Sequence, residues 1–551
     1  MADSNLQSRI CNPHEWHFVL VFSVVALAIT SIPYVLGAAL ATDERIFGGF
    51  VYAVEDGSAY LAHMREGANG AWLFTLPYTP EPHSPRLFYL LHLLLGKLAA
   101  LLPTEGLTTR MVWVYHGARV ILGLGLLLTV YRFLAAFTER VAVRRLAWLM
   151  VTFGGGLGWL LVVAGQPGWL GSMPLDFILP EGFTFLVLYG FPHIALARTL
   201  LLLGFLLLLK AWRKHPTSNI QRPKSASRIT CLKWAALTGL LWLAMGLILP
   251  FYVAVAWAVT GTAWLTLMLH EQHILWREGL LAGVAVLISA PVVAYSVWVF
   301  TTDPVYATWA AQNQILSPHP LHYLAAYGVL LILAIFGVKY AWRNEGAGWL
   351  PLAWVGVVPL LIYLPSNLQR RLVEGVQVPL SLLAALGVSG FKLQGFRLRV
   401  AVSALLVGLS LTNVILVAGG CLALRGLPAP IYRDAGEVAA LNWLNERVEP
   451  DDVVLAAYET GNYLPVRVGA RAFVGHGPES IHADEKKALV ARFFDATTDD
   501  VWRQRLLAQY GVDYVFWGST ERALGDLDPH TAPYLRQVYE AEGYAIFEVE
   551  R

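Results

Sequence analysis

The 551-residue sequence predicts a multi-pass α-helical membrane protein ending in a small polar α/β domain. Three observations carry this expectation. The chain is 56% hydrophobic and 14% charged, with a mean hydropathy of +0.54, which is too apolar for a soluble multidomain protein. Apolar runs lie at residues 17–41, 116–137, 146–165, 193–212, 232–249, 251–269, 279–300, 322–340, 349–364, 375–391 and 400–422. Each approaches the ~20 residues that a bilayer core requires, so about eleven spans are expected. From about residue 426 the composition turns polar, and short apolar runs (453–457, 512–517, 544–549) alternate with helix-like stretches (434–447, 484–494). The predicted division is a transmembrane domain over 1–425, including an outer loop at 42–109, and an extracytoplasmic α/β domain over 426–551.

The first run could be read as a secretory signal, because Ala39-Leu40-Ala41 resembles a cleavage site. Its length is nearer a full span than a signal core, and the leader before it holds one Lys or Arg, Arg9, so it is expected to be an uncleaved span. The segment 87–102 is also apolar but short, with Tyr89, His92, Gly96 and Lys97 on or near one helical stripe, which suits a helix lying at the interface. Counting it as a span would invert everything after it. With eleven spans and a cytoplasmic N-terminus, about 18 basic residues fall inside against about 7 outside, as the positive-inside rule requires. The loop 42–109 and the C-terminal domain then both face outward across the cytoplasmic membrane. The linker 210–233 is a basic cytoplasmic loop suited to anionic lipid headgroups, and Gly154, Gly155, Gly156 and Gly158 mark close helix approach rather than a phosphate loop.

A net charge of +2 offers no argument for a nucleic-acid partner. The cysteines Cys11, Cys231 and Cys421 are far apart, which leaves neither a disulfide framework nor a cysteine zinc site. In the outer loop, Glu55 and Asp56 stand at the start of a short amphipathic helix, where the helix dipole favours a carboxylate. The plain reading of Asp56 is a helix cap. In the C-terminal domain, His476-Gly477-Pro478-Glu479-Ser480-Ile481-His482 offers two histidines and a carboxylate, but in an irregular loop with no evident fourth metal ligand.

The order of these parts resembles the GT-C superfamily of polyprenyl-phosphate-dependent glycosyltransferases. The likeness rests on a first span, then an outer loop with an acidic pair and Tyr60 four residues after Asp56. Gly70-Ala71-Trp72, Pro77-Tyr78 and Ser84-Pro85-Arg86-Leu87-Phe88-Tyr89-Leu90-Leu91 follow, and Ala118-Arg119 opens the second span. The layout is similar to that of lipid A aminoarabinose transferases and protein O-mannosyltransferases, and it is best over the first ~200 residues. Here the acidic pair runs Glu55-Asp56 rather than Asp-Glu, and Ser84-Pro85-Arg86 stands where a lysine and paired prolines often occur.

The resemblance implies a membrane glycosyltransferase with Asp56, beside Glu55, as the catalytic acid. Its implied partners are a polyprenyl-phosphate-linked sugar donor, a lipid, glycan or protein acceptor, and membrane lipids. A single carboxylate can take the proton of an acceptor hydroxyl, and direct displacement of this kind inverts the anomeric centre. Cations are needed for the departing phosphate. Arg370 and Arg371 stand out because they violate the positive-inside trend, and guanidinium forks match phosphate geometry. Arg86, His83, Arg119 and Arg198 are second candidates. Glu181 and Asp176, on the loop 166–192, are candidates for a second acid that binds acceptor, or a divalent metal if one is used; His193 lies nearby. No cofactor is demanded. The rival classes are a transporter or lipid flippase, for which mid-membrane ionisable residues and paired broken helices are expected, and a noncatalytic envelope assembly protein.

Overall fold

The computed structural model describes residues 13–103, 106–212, 228–343, 348–391 and 395–550. Arg9, Cys11 and the centre of the basic linker, 213–227, lie outside the described residues. The chain divides into two compact units, one of Met1–Ser31, Ala118–Val297 and Ile315–Ala418, the other of Ile32–Gly117, Trp298–Gln314 and Gly419–Arg551. Among the described residues, nine helices are long and apolar enough to cross a membrane. They match nine of the eleven apolar runs. The other two runs form the 13-residue helices Trp349–Leu361 and Gln377–Ser389.

In the first unit, Gln377–Ser389 is buried from Gln377 through Val388, so its apolar run is covered by protein and need not match a bilayer thickness. It packs against Leu321–Arg343 through paired glycines. A Cβ on Gly337 would lie 1.9 Å from the Leu383 carbonyl oxygen, and one on Gly387 would lie 2.0 Å from that of Leu333. Only glycine permits this backbone approach. The glycine run of the third span serves a related purpose: the helix stops at Phe153 and resumes at Gly158, and a Cβ on Gly156 would lie 2.4 Å from the Ala326 carbonyl oxygen. The amides freed by the break find a side chain. Gly156 N and Gly158 N donate to Asp176 Oδ2 at 3.0 and 3.1 Å, and Thr412 Oγ1 donates to the same oxygen at 2.6 Å.

In the second unit, the helix Val54–Ala68 lies tightly on Leu90–Ala100, the segment expected at the interface. Gly67 and Gly96 make the contact, because a Cβ on either would fall about 2 Å from backbone of the other helix (Leu93 O at 2.1 Å, Met64 O at 1.8 Å). Leu94, Leu98 and Leu101 stay exposed on the far face, and at 11 residues the helix is too short to span. Strand β1 (Arg45–Phe47) pairs antiparallel with β2 (Tyr432–Asp434), and Arg45 Nη1 meets Asp434 Oδ1 at 2.6 Å.

The C-terminal sheet is mixed, in the order β4 (Arg471–Ala472), β3 (Val453–Leu455), β5 (Val512–Trp517), β7 (Tyr544–Val549), β6 (Leu535–Ala541). β3 is parallel to β4 and β5, and β7 is antiparallel to β5 and β6. The three short apolar runs of the sequence became the inner strands β3, β5 and β7. Phe473, Phe493, Phe494, Val515 and Phe547 fill the core between sheet and helices.

Candidate active site

Asp56 sits in the first turn of Val54–Ala68, entered through Ala53 in the left-handed region (φ 49°). The N-cap position is held by Ala53, so Asp56 stands inside the first turn rather than at the cap position. Its Oδ1 accepts a hydrogen bond from His476 Nε2 at 3.1 Å. The Asp56 side chain is 46% exposed and that of His476 7%, so the carboxylate opens to solvent while its partner holds it from behind. His476 Nδ1 faces Glu479 Oε1 at 3.7 Å, and that oxygen accepts from His63 Nε2 and Tyr89 Oη, each at 3.1 Å. Burial would raise the Glu479 carboxyl, but His63, His476 and Tyr89 outweigh it and hold the group below its ordinary value.

Glu55 is gripped separately. Tyr458 Oη donates to Glu55 Oε2 at 3.1 Å and accepts from Gly477 N at 3.0 Å, while burial and then the Glu55 charge push the phenol up to about 12. The Pro77-Tyr78 pair singled out by the resemblance braces this region. Ala472 N donates to Pro77 O at 2.9 Å, Tyr78 Oη to Asn462 O at 3.1 Å, and a Cβ on Gly475 would meet the Tyr78 ring at 2.5 Å. His476, Glu479, His63, Tyr89 and Tyr458 were not among the predicted site residues. The composition of the 476–482 loop pointed toward His476 and Glu479, and Tyr89 fell within a motif quoted for the resemblance.

The other candidates distribute as follows. In the second unit, Arg86 Nη2 pairs with Asp303 Oδ2 at 2.9 Å, and its guanidinium lies over the Trp298 ring at 5.2 Å. His83 accepts from Leu76 N through Nε2 at 2.9 Å and bonds Glu81 O through Nδ1 at 2.7 Å, while burial lowers its imidazole.

In the first unit, Arg119 bonds Leu188 O at 2.7 Å and Ser31 Oγ at 2.8 Å. Arg198 is fully buried. It meets Glu374 through Nε at 2.5 Å and Nη2 at 3.0 Å, and also donates to Pro180 O, Glu181 O and Thr184 Oγ1. Arg370 and Arg371 lie on the turn Gln369–Val373, where Arg371 Nε is 3.6 Å from Glu181 Oε1. Asp176 binds the helix break described above, and His193 is buried at the start of Pro192–Trp212 with its ring edge-on to Phe191.

Among the described residues, no group of three His, Cys, Asp or Glu side chains is arranged to hold a metal ion. Around Asp56, Nε2 of His476 is engaged with Asp56 and Oε1 of Glu479 with two donors, while His476 Nδ1, Glu479 Oε2 and His63 Nδ1 are buried without hydrogen-bond partners.

One buried acid takes no part in this cluster. Glu66 Oε1 accepts from the amide and hydroxyl of Thr75, Oε2 is buried without a partner, and burial holds the carboxyl up to about 8. Its folded value lies above the ordinary 4.5, so its contribution to stability is full below about pH 4.5 and is lost as pH rises through about 8. Glu66→Gln keeps an acceptor for Thr75 and removes that loss. In thermal unfolding of the full chain in detergent, the variant should exceed wild type by about 1–3 kcal/mol at pH 8 and match it near pH 4.5. A pH-independent difference would contradict this.

No protein-family model matches the sequence, and no curated protein matches it. Solved structures do. The archaeal oligosaccharyltransferase AglB from Archaeoglobus fulgidus, in complex with an inhibitory peptide and a dolichol-phosphate, matches at 12% identity over 98% of this chain and 75% of its own, with a TM-score of 0.52. The arabinofuranosyltransferase AftD from Mycobacteria matches at 15% identity over 97% of this chain and 42% of that longer one, also with a TM-score of 0.52. ArnT from Cupriavidus metallidurans, bound to undecaprenyl phosphate, is 13% identical over 97% of this chain and 98% of its own, with a TM-score of 0.47. The chain shares its fold with AglB and AftD over nearly its whole length.

Proposed function

We propose that this protein transfers a sugar from a polyprenyl-phosphate-linked donor to a hydroxyl group of an envelope glycan, lipid or protein, with Asp56 as the general base. One observation carries the reading: a carboxylate open to solvent on one side is held on the other by a buried histidine, which suits a base that must meet an incoming hydroxyl in a fixed pose. The acceptor oxygen forms a bond to the anomeric carbon as the bond from that carbon to the phosphate oxygen breaks. Asp56 takes the hydroxyl proton. The phosphate leaves with the bonding electrons, so the polyprenyl phosphate departs as a monoester carrying one more negative charge than the donor had.

That developing charge calls for cations. Arg371 and Arg370 are the proposed holders: Arg371 keeps its side chain 38% exposed beside Glu181, whereas Arg198 and Arg119 are committed within the fold. Glu181 would then steer Arg371. The proposed setting is the cytoplasmic membrane, with the N-terminus inside and Asp56 on the outer side, where lipid-linked donors present their sugars.

The test is stereochemical. Purified full-length protein is incubated with a lipid-linked sugar fraction extracted from its own membranes and with envelope acceptor, and the new glycosidic linkage is analysed by NMR. Single displacement predicts a linkage opposite in anomeric configuration to the donor, with free polyprenyl phosphate released in equal amount. Retention of configuration, or release of lipid phosphate without a new linkage, would overturn the reading.

A further inference from the structure

We infer that His476 and Glu479, on the loop after β4, are the positioning pair of this site: His476 acts as a hydrogen-bonded cation that aims Asp56, and Glu479 is its buried counter-charge. The inference rests on the reading of Asp56 as the base.

The arrangement is asymmetric in an informative way. One imidazole nitrogen donates to Asp56 Oδ1, and the other has no hydrogen-bond partner but faces Glu479 Oε1 at 3.7 Å. A neutral ring donating from Nε2 would turn its Nδ1 lone pair toward an anion. An imidazolium presents N–H to both carboxylates and removes the conflict. Glu479 cannot easily swing away, because His63, on the helix Val54–Ala68, and Tyr89, just before Leu90–Ala100, donate to the same oxygen.

The loop is also fixed along its backbone. Glu479 N and Ser480 N donate to His476 O at 3.0 and 2.8 Å, and Ser480 Oγ accepts from Gly475 N at 3.0 Å. Gln312 Nε2 and Asn313 Nδ2 reach Ser480 O and Pro478 O at 2.8 and 2.7 Å. A loop with this many anchors can set a carboxylate oxygen within the narrow tolerance that proton transfer requires.

The titratable groups around the ring are Asp56 and Glu55 from Val54–Ala68, Glu479 on its own loop, Tyr78 with its ring centroid at 5.8 Å, and Tyr458 from Tyr458–Arg467. Burial pulls the imidazole down, but the Asp56 hydrogen bond and the Glu479, Asp56 and Glu55 charges outweigh it and hold His476 above its ordinary value. When Asp56 is neutralised by the acceptor's proton, Glu479 still balances the imidazolium, so the cluster does not strand a buried cation midway through the reaction.

Asp56 can be read directly, without knowing the substrate. Water-soluble carbodiimide with glycine ethyl ester modifies protonated carboxyls, and the half-exposed Asp56 is within its reach while Glu479 is buried. Full-length protein in detergent is labelled across a pH series, and modification of Asp56 is followed by peptide mass spectrometry. His476→Gln keeps a donor to Asp56 but removes the cation, so the pH of half-maximal labelling should rise by about one pH unit, with up to tenfold more labelling at a given pH above it.

Transfer by wild type should fall on the alkaline side as the imidazolium is lost, and Glu479→Gln should move that fall to lower pH. Glu479→Gln also keeps the question open to measurement if His476→Gln does not fold. An unchanged labelling midpoint in folded His476→Gln, or an unchanged alkaline fall in Glu479→Gln, would reduce the pair to loop anchors. If instead labelling shifts as expected while Asp56→Asn transfers sugar normally, the positioning contact stands and the catalytic reading of Asp56 falls.

Discussion

Asp56→Asn protein is expected to bind the lipid-linked donor as wild type does and to transfer its sugar about 10²–10⁴-fold more slowly. The amide has the size of the carboxylate, and its oxygen can still accept from His476 Nε2, so the helix start and the 476–482 loop keep their shape. What disappears is a group basic enough to take the acceptor's proton. The loss should therefore fall on kcat, with the donor Kd within about twofold of wild type. Asp56→Glu tests position instead of basicity: one extra methylene displaces the carboxylate from the hydroxyl and should cost about 10–10²-fold. Single-turnover transfer from labelled donor, alongside donor binding by filtration, separates the two effects. A reduced donor affinity with unchanged kcat would mean that Asp56 binds substrate and does not act as base.

Glu374→Ala should destabilise the first unit by about 3–5 kcal/mol. Glu374 and Arg198 are both fully buried, 176 residues apart in sequence, and meet through two hydrogen bonds. Removing the acid leaves a guanidinium in the interior hydrogen-bonded only to neutral acceptors, Pro180 O, Glu181 O and Thr184 Oγ1, with no carboxylate in direct contact. The position also bears on the phosphate contact proposed for Arg370 and Arg371. Glu374 lies between the Gln369–Val373 turn that carries Arg370 and Arg371 and the buried Gln377–Ser389 helix, and Gly375 N is bonded to Glu181 O at 3.0 Å. Loosening this knot should weaken donor binding as well as lower the melting temperature. The double variant Arg198→Met with Glu374→Leu removes both charges and should recover most of the stability but not the donor affinity. Thermal unfolding in detergent compares the three; a single variant as stable as wild type would show that the pair is solvated and contributes little.

Much of the architecture was legible because bilayer physics writes a strong local signal. Nine of the apolar runs form helical segments long enough to cross, one of them broken at 154–157, since a membrane core demands about 20 apolar residues wherever a helix crosses it. The run at 375–391 carries the same composition for another reason. Gln377–Ser389 is apolar because protein surrounds it, and hydropathy cannot distinguish protein from lipid. The glycines at 154–158 pointed correctly to close packing, but not to the break that Asp176 seals, because the seal comes from a loop of a different stretch of chain.

The active-site reading was legible only in part. Glu55 and Asp56 stand out locally at a helix start, and Tyr89 and Pro77-Tyr78 fell within motifs quoted for the resemblance. His476 lies 420 residues from Asp56, and no periodicity or spacing connects them. Its loop looked like a poor metal site when considered alone. Distance along the chain also hides Arg371 from Glu181 and Arg198 from Glu374: sequence offers each arginine as a candidate for phosphate or for an ion pair, and the acid facing it comes from elsewhere in the fold.

Chemical rescue tests the role of Asp56 most directly. Asp56→Gly protein is assayed for single-turnover sugar transfer from membrane-extracted lipid-linked donor over increasing formate. A small carboxylate that enters the vacated space can accept the hydroxyl proton, so transfer should be nearly absent without formate and rise in proportion to its concentration. Transfer by Asp56→Gly at the wild-type rate in the absence of formate would contradict the account.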